Sequence, residues 1–593
     1  MQETKVSFSD YLHKSNSLKK NNSMQEVKVA FLSNFTINGL PEILKTKLHQ
    51  EEIWVDYYNA PYNQYIQEII NNHSGLYRNS PDLIFLLLDV EKFLGDFFFF
   101  PYRYNLEQRK MFVKEKIEEI ENILTILQER SKARIVINDF VVPAYSSRGI
   151  IESKQEWGLT ESIYRINESL RNICMNNNRL FTFPLNSFCS HHNPRPLAEP
   201  KIAYLTDMKI SSDGLIGLAS EYTSYVYPLT SKSKKCLVLD LDNTLWGGIV
   251  SEDGLEGIKL GPDKEGKPFL DFQSLILELF ERGVILAINS KNNYEDAIEV
   301  IRNHEYMLLR EDHFACIKIN WQDKANNIKE ISKELDIGVD SIVFLDDDKT
   351  NRALIRELIP EVAVIDLPED VSLYPLVIKN LKYFNLFNIT KEDAERGKMY
   401  VDQKKRSVFK LSVDDLDSFI KKLEIKALVR LADESTLNRI TQLTQKTNQF
   451  NLTTKRYKEE DIHELFRSDH HLVESVMVAD KFGDYGTTGV VIVKKDLVEK
   501  CWNIDTFLLS CRILGKNVEF ALMKDIVEKA RIAGMKSIKG IFIPTKKNKP
   551  ADNFFEDCGF VMTKTKDEAR EYTFDLSKEF KKEILIEVKE WKN

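Results

Sequence analysis

Two carboxylates stand two residues apart in Leu239-Asp240-Leu241-Asp242-Asn243-Thr244-Leu245, directly after the apolar run Cys236 to Leu239. That run reads as a short buried strand, and residues i and i+2 past its end emerge on the same side of the backbone. Carboxylates so placed can hold a hard divalent cation while one of them attacks a phosphorus atom. Taken alone, the string also reads as a hydrophobic strand ending in a solvated acidic turn.

Three further segments decide between these readings. Val284-Ile285-Leu286-Ala287-Ile288-Asn289-Ser290 is an apolar run that ends in a hydroxyl, and Lys324 opens an amphipathic helix. Ser341-Ile342-Val343-Phe344-Leu345-Asp346-Asp347-Asp348 ends in carboxylates, with Asn351 one helical turn later. In this order the four segments resemble the motifs of the haloacid dehalogenase (HAD) superfamily of phosphotransferases. The resemblance implies Asp240 as nucleophile through an aspartyl-phosphate, and Asp242 as acid and then base. Ser290 and Lys324 would grip phosphoryl oxygens, and Mg²⁺ would sit on Asp240, Asp242 and Asp347, with Asp346 and Asn351 in support. Asp348 reads as solvated surface. Thr244, Trp246, Asn289, Lys291 and Asn292 are assigned with Ser290 to substrate binding. Trp246 and its glycine pair are expected to form a flap over the phosphate, with Asp263 to Lys267 as its outer turn.

The elements that must position these groups alternate as strand and helix. The intervals from Asp242 to Ser290 and from Ser290 to Lys324 hold about two ordinary elements each, so no cap domain fits. An open site admits either a macromolecular substrate or closure by another domain of the same chain.

Composition bounds the rest. The chain has 593 residues, enough for about three or four domains. Its 83 basic and 91 acidic side chains leave a net charge of −8 and no nucleic-acid footprint. Apolar runs such as Leu83 to Leu88 are too short to span a membrane. The seven cysteines lack CxxC spacing, as expected of reduced thiols in a cytoplasm, and the polar start shows no secretory segment. Cys236 and Cys316 read as core.

The expected fold is α/β with three domains after a flexible leader over 1–25. Residues 26–225 form a doubly wound domain, with strands at Val27 to Leu32, Leu83 to Leu88, Arg134 to Asp139 and Leu180 to Phe183. It resembles a divergent SGNH hydrolase. Ser33 stands where that family's nucleophile would be, but neither Gly-Asp-Ser nor Asp-x-x-His is present. His191 and His192 read as surface, and packing or partner binding is the expected role. Residues 226–390 form the capless HAD-like domain. Residues 391–593 resemble the GNAT acyltransferase fold, an α+β domain. There a strand, the turn Arg512-Ile513-Leu514-Gly515-Lys516-Asn517 and a helix would cradle a coenzyme A pyrophosphate, with Arg512 and Gly515 binding it.

Over about residues 200–565 the sequence is similar to FkbH-like proteins. The matching segments are 235–260, Asn289-Ser290-Lys291-Asn292-Asn293, Asn320 to Lys324, and Gln445-Lys446-Thr447-Asn448-Gln449-Phe450-Asn451-Leu452-Thr453. The resemblance implies loading of a glyceryl unit from 1,3-bisphosphoglycerate onto an acyl carrier protein with removal of phosphate, feeding polyketide, tetronate or surface-glycan synthesis. The implied partners are the carrier's phosphopantetheine arm and the phosphorylated three-carbon substrate, with no nucleic acid and no membrane. Relatives commonly carry Cys before the motif Ser, where this chain has Asn289. Transfer is then either direct or by way of Cys511, whose neighbour Arg512 would activate its thiol. Cys511 also reads as a small core residue. Gln445 to Thr453 offers uncharged donors and acceptors for the acyl unit, or a hydrogen-bonded interdomain joint. A stand-alone phosphohydrolase and a carrier-binding GNAT-like scaffold are the competing functions.

Overall fold

The computed structural model describes residues 6–21, 24–191, 197–230, 232–389, 395–397, 399–400, 402, 415–566 and 568–590. The chain divides into two compact units, 1–230 and 231–593. His192 lies outside the described residues.

The first unit is built on a parallel five-stranded sheet in the order β2-β1-β3-β4-β5. Its strands are β1 (Gln25–Ser33), β2 (Ile53–Asn59), β3 (Leu83–Leu87), β4 (Arg134–Asn138) and β5 (Leu180–Phe183). β3 is buried along its whole length, which is why its sequence is uninterrupted hydrocarbon. β2 was not anticipated: it lies at the sheet edge, where Asp56 and the tyrosines are half-exposed and dilute the apolar signal.

The leader is not simply flexible. Phe8–Ser17 is a helix closed by a reciprocal capping box between Ser7 and Asp10. Gly39, at φ 97°, leaves room for the Phe8 ring, which would lie 2.3 Å from any added Cβ. Ser33 is buried at the end of β1, where its Oγ accepts the Phe35 N–H at 3.1 Å. Among the described residues no imidazole bonds it. His191 is exposed, as expected.

The second unit holds two sheets. The first is parallel, in the order β10-β9-β6-β7-β8. Its strands are β6 (Cys236–Leu239), β7 (Ile285–Ser290), β8 (Phe314–Ile319), β9 (Ile342–Asp346) and β10 (Ala363–Asp366). β6 lies between β9 and β7 with all four side chains buried, so its carboxyl end opens at the middle of the sheet. The helices Lys267–Glu281 and Tyr294–Asn303 cover it. Between Asp242 and Ser290 the chain forms that first helix, the helix Val250–Gly257 and one antiparallel bridge, Gly247 to Lys259. No cap is inserted. Cys236 and Cys316 are fully buried.

The second sheet is mixed, in the order β17-β18-β16-β15-β14-β13-β11-β19. Its strands are β11 (Lys426–Leu431), β12 (Phe450–Asn451), β13 (His471–Asp480), β14 (Gly483–Asp496), β15 (Cys501–Leu509), β16 (Ser537–Phe542), β17 (Val561–Lys566), β18 (Ala569–Asp575) and β19 (Glu587–Glu590). β15 and β16 run parallel and pair only from Cys501 to Ile504. Beyond that point β15 pairs with β12 instead. The Asn548 amide fastens the insert by donating to the Asn451 carbonyl at 2.9 Å. Residues 450 and 451 therefore fill the splay in which an extended ligand could have lain. Among the described residues, no helix is long and apolar enough to cross a membrane.

Candidate active site

The site is assembled at the carboxyl ends of β6, β7 and β9, where parallel α/β sheets present their loops. Asp240 continues the ladder beyond β6, its N–H donating to the Leu345 carbonyl at 3.0 Å. The chain then turns sharply: the N–H groups of Thr244 and Leu245 both reach the Leu241 carbonyl, and Asn243 takes φ 53°.

Carboxylate oxygens of Asp240, Asp346 and Asp347 lie within 4.8 Å of one another. Lys324, the first residue of the helix Lys324–Glu334, inserts its ammonium 2.9 Å from Asp240 Oδ2 and 2.5 Å from Asp346 Oδ2. The lysine is 1 % exposed. Burial alone would lower its pKa, but the two carboxylates hold it above the usual lysine range. Asp347 is pushed up to about 6 by burial and then by Asp240 and Asp346. One ammonium against three carboxylates leaves the group short of positive charge. An all-oxygen donor set of this kind suits a hard divalent cation, so these residues fit Mg²⁺ chemistry.

Asp242 lies outside that cluster of side-chain oxygens. Its Oδ1 accepts the Trp246 indole N–H at 2.9 Å and the Val250 N–H at 3.2 Å, and its Oδ2 accepts the Asn292 amide at 2.7 Å. Burial raises its pKa. Three donors orient a partly buried carboxyl group, as acid–base work requires.

Several expected substrate contacts are interior supports instead. Trp246 is fully buried and forms no flap, because its indole is spent on Asp242. Asn289 is also fully buried: it donates to the Lys324 carbonyl at 2.9 Å and accepts from Asn327 at 3.0 Å. Asn292 serves Asp242 rather than a ligand. Thr244 is buried with its hydroxyl 3.5 Å from Asp347 Oδ1. Ser290 is buried at the end of β7, and Lys291 is exposed beside it. Asn351 donates to Asp346 Oδ1 at 3.3 Å rather than to Asp347, and Asp348 is exposed and caps the helix Lys349–Leu358.

Arg352 was missed by sequence reasoning. It is 3 % exposed and donates to the carbonyls of Asp346 and Asp347 at 2.6 and 2.7 Å, fixing the turn that carries both carboxylates. Gln273 was missed too. It donates to the Leu245 carbonyl at 2.8 Å and accepts from Leu308 at 3.0 Å, tying the turn after Asp242 to a distant loop. Neither residue lies in a motif, and only buried polarity within an amphipathic helix could have marked them.

The residues read as a coenzyme A cradle lie elsewhere. Cys511 shares a cavity with Lys235, which precedes β6, whereas Asp240 follows it. Five residues of strand separate the two ends by roughly 16 Å. The cradle around Arg512 and Gly515 is itself occupied. Lys516 turns inward to Tyr485 Oη and the Arg512 carbonyl. Glu519, raised to about 7 by burial, is held down by its own N–H and that of Gly515, where a pyrophosphate would need to bind. Of the stretch Gln445 to Thr453, Gln449 donates to Asp336 Oδ1 at 3.4 Å, a joint between the two sheets.

Comparison with known proteins places this geometry. Residues 28–226 match the FkbH N-terminal domain. No curated protein is significantly similar in sequence. The N-terminal part of the protein BF1531 from Bacteroides fragilis, described as containing a phosphatase domain complexed with Mg, is 28 % identical. The match covers 64 % of this chain and 99 % of that one, with a TM-score of 0.59. Spermidine N-acetyltransferase from Vibrio cholerae in complex with CoA and spermine is 14 % identical over 26 % of this chain and 96 % of that one, with a TM-score of 0.21. The first unit is thus similar to the FkbH N-terminal domain, and the second carries its aspartate and lysine groups on a chain similar to one that contains a phosphatase domain.

Proposed function

We propose that the protein is a Mg²⁺-dependent HAD-type phosphatase that transfers a phosphorylated three-carbon acyl unit to an acyl carrier protein and removes its phosphate. The observation that carries the reading is the division of labour among the aspartates. Asp240, Asp346 and Asp347 cluster around Lys324, while Asp242 is turned away by three donors.

In this reading Asp240, Asp346 and Asp347 would hold the cation, which would supply the positive charge that offsets the phosphate against an anionic nucleophile. Asp240 attacks phosphorus and forms the aspartyl-phosphate as the ester oxygen leaves. Asp242 donates a proton to that oxygen, then takes one from the water that cleaves the aspartyl-phosphate. Lys324 faces the phosphoryl oxygens from a fixed position, and Ser290 closes the end of β7 beside it. Trp246 and Asn292 keep Asp242 aimed throughout.

The carrier-loading part rests on the segments shared with FkbH-like proteins and on the absence of a cap, which leaves room for a prosthetic arm with its protein attached. The separation of Cys511 from Asp240 favours direct transfer to the carrier thiol over a relay through Cys511. The test is phosphate release from a bisphosphoglycerate-generating system with carrier that does or does not bear its phosphopantetheine arm, followed by intact-mass analysis of the carrier. Release that needs the arm and adds a glyceryl mass supports loading. Fast release indifferent to any carrier would leave a simple phosphohydrolase.

A further inference from the structure

We propose that Trp321, with Ile249 and Tyr294, forms an apolar rim at the aspartate site that receives the uncharged, amide-bearing part of a carrier's pantetheine arm. The choice of partner rests on the carrier-loading reading; the geometry does not.

Trp321 is 69 % exposed, yet its indole N–H donates to Asn293 Oδ1 at 3.1 Å. That bond joins the loop after β8 to the loop after β7, at the end of the sheet that carries the site. The tryptophan is anchored there on both sides. The Asn320 N–H donates to the Ser290 carbonyl at 3.1 Å, and Lys324, whose ammonium meets Asp240, stands three residues on. Asn293 is tied inward in turn: its N–H donates to Asn292 Oδ1 at 2.9 Å, and Asn292 donates to Asp242 Oδ2 at 2.7 Å. A large aromatic ring that stands in solvent but is already held in one place loses little entropy on contact, which is what a binding anchor requires.

Two more large apolar side chains are exposed next to residues that serve the same carboxyl group. Ile249 precedes Val250, whose N–H donates to Asp242 Oδ1 at 3.2 Å, and Tyr294 follows Asn293. The helices Val250–Gly257 and Tyr294–Asn303, which begin at these points, pack against each other. Three separate segments thus bring apolar surface to the mouth of a site that no inserted cap covers.

Charge decides what such a rim accepts. Among residues 291–296 and 320–323, Lys291 is the only cation, against Glu295, Asp296 and Asp323. A second phosphate group would gain little here. Pantetheine is a neutral chain with two amides and a pair of geminal methyl groups, so it can lay its methyl groups on the rings and turn its amides to the exposed Gln322 side chain while its thiol end points into the site.

The experiment uses the full chain and free pantetheine at millimolar concentration, under reducing conditions and without turnover, and reads saturation transfer to the pantetheine methyl signals by NMR. Transfer seen with the wild type should fall roughly tenfold in Trp321→Ala, the loss expected when an aromatic anchor is removed, and partly in Trp321→Phe, which keeps a ring. Because the ring is exposed, Trp321→Ala should melt with the wild type. With carrier bearing its arm, Trp321→Ala should also raise the KM for carrier roughly tenfold, more than it lowers kcat. Absence of transfer in the wild type, or equal transfer in Trp321→Ala, would overturn the rim whatever the carrier assay gives. Transfer that depends on Trp321 without any carrier-dependent turnover would uphold the rim and dismiss carrier loading instead.

Discussion

The Trp246 indole N–H donates to Asp242 Oδ1 at 2.9 Å, and the tryptophan that makes this bond is completely buried. A core side chain thus sets the direction of the Asp242 carboxyl, which the proposed mechanism uses as acid and base, and keeps it away from the three-carboxylate cluster. Trp246→Phe retains most of the ring and removes only the donor. Losing one charge-assisted hydrogen bond, worth about 1.5–3 kcal/mol, should lower kcat by roughly 10- to 100-fold. Mg²⁺ affinity should stay unchanged. Steady-state phosphate release with a metal titration checks both halves, and an equal loss of metal affinity would show that Asp242 belongs to the metal set after all.

Asp240→Asn should abolish phosphate release and leave the fold intact. The amide is nearly isosteric but cannot attack phosphorus, and it cannot pair with Lys324 as a carboxylate does at 2.9 Å. Circular dichroism checks the fold and single-turnover assays the chemistry. Substantial turnover in the purified, metal-replete variant would exclude an aspartyl-phosphate.

EDTA should silence the enzyme, and Mg²⁺ should restore it while Ca²⁺ does not. Asp240, Asp346 and Asp347 form a compact group within 4.8 Å. Mg²⁺ holds a tight octahedron, whereas the larger Ca²⁺ takes six to eight oxygens at longer distances and would displace the phosphate from in-line attack. Full activity in Ca²⁺ would count against this site.

Metal stabilisation should depend on pH through Asp347, which burial and its two carboxylate neighbours raise to about 6. An unfolded aspartate titrates near 3.9, so between about 4 and 6 the folded state holds the extra proton. Stability of the metal-free protein therefore falls as pH rises through that window, and the full penalty is present above it. A bound cation removes the penalty at pH 7.5, but at pH 5 it must first displace the proton. Differential scanning fluorimetry should show a larger Mg²⁺-induced rise in Tm at pH 7.5 than at pH 5. Equal shifts at both would exclude Asp347 as a ligand.

The sequence by itself determined the order of the chemical groups and the strands that deliver them. Buried parallel strands must be apolar on both faces, so Cys236 to Leu239, Ile285 to Ser290 and Ile342 to Asp346 were legible as strands, and the polar residues at their ends as a site. Lys324 was legible because it stands beside Asp323, a helix N-cap, ahead of an amphipathic helix. What only the tertiary structure decided is which way each side chain faces. Trp246, Asn289 and Asn292 share the motifs of the catalytic groups, yet they pack inward as supports. Arg352 and Gln273, outside every motif, hold the turns in place. The Asp242 carboxyl points away from the cluster for the same reason: strand spacing sets where a carboxyl leaves the backbone, but its direction depends on donors 4, 8 and 50 residues away in the chain. The cavity beside Cys511 lay further out of reach, since Lys235, Lys446 and Arg512 become one cluster only when the two sheets are brought together.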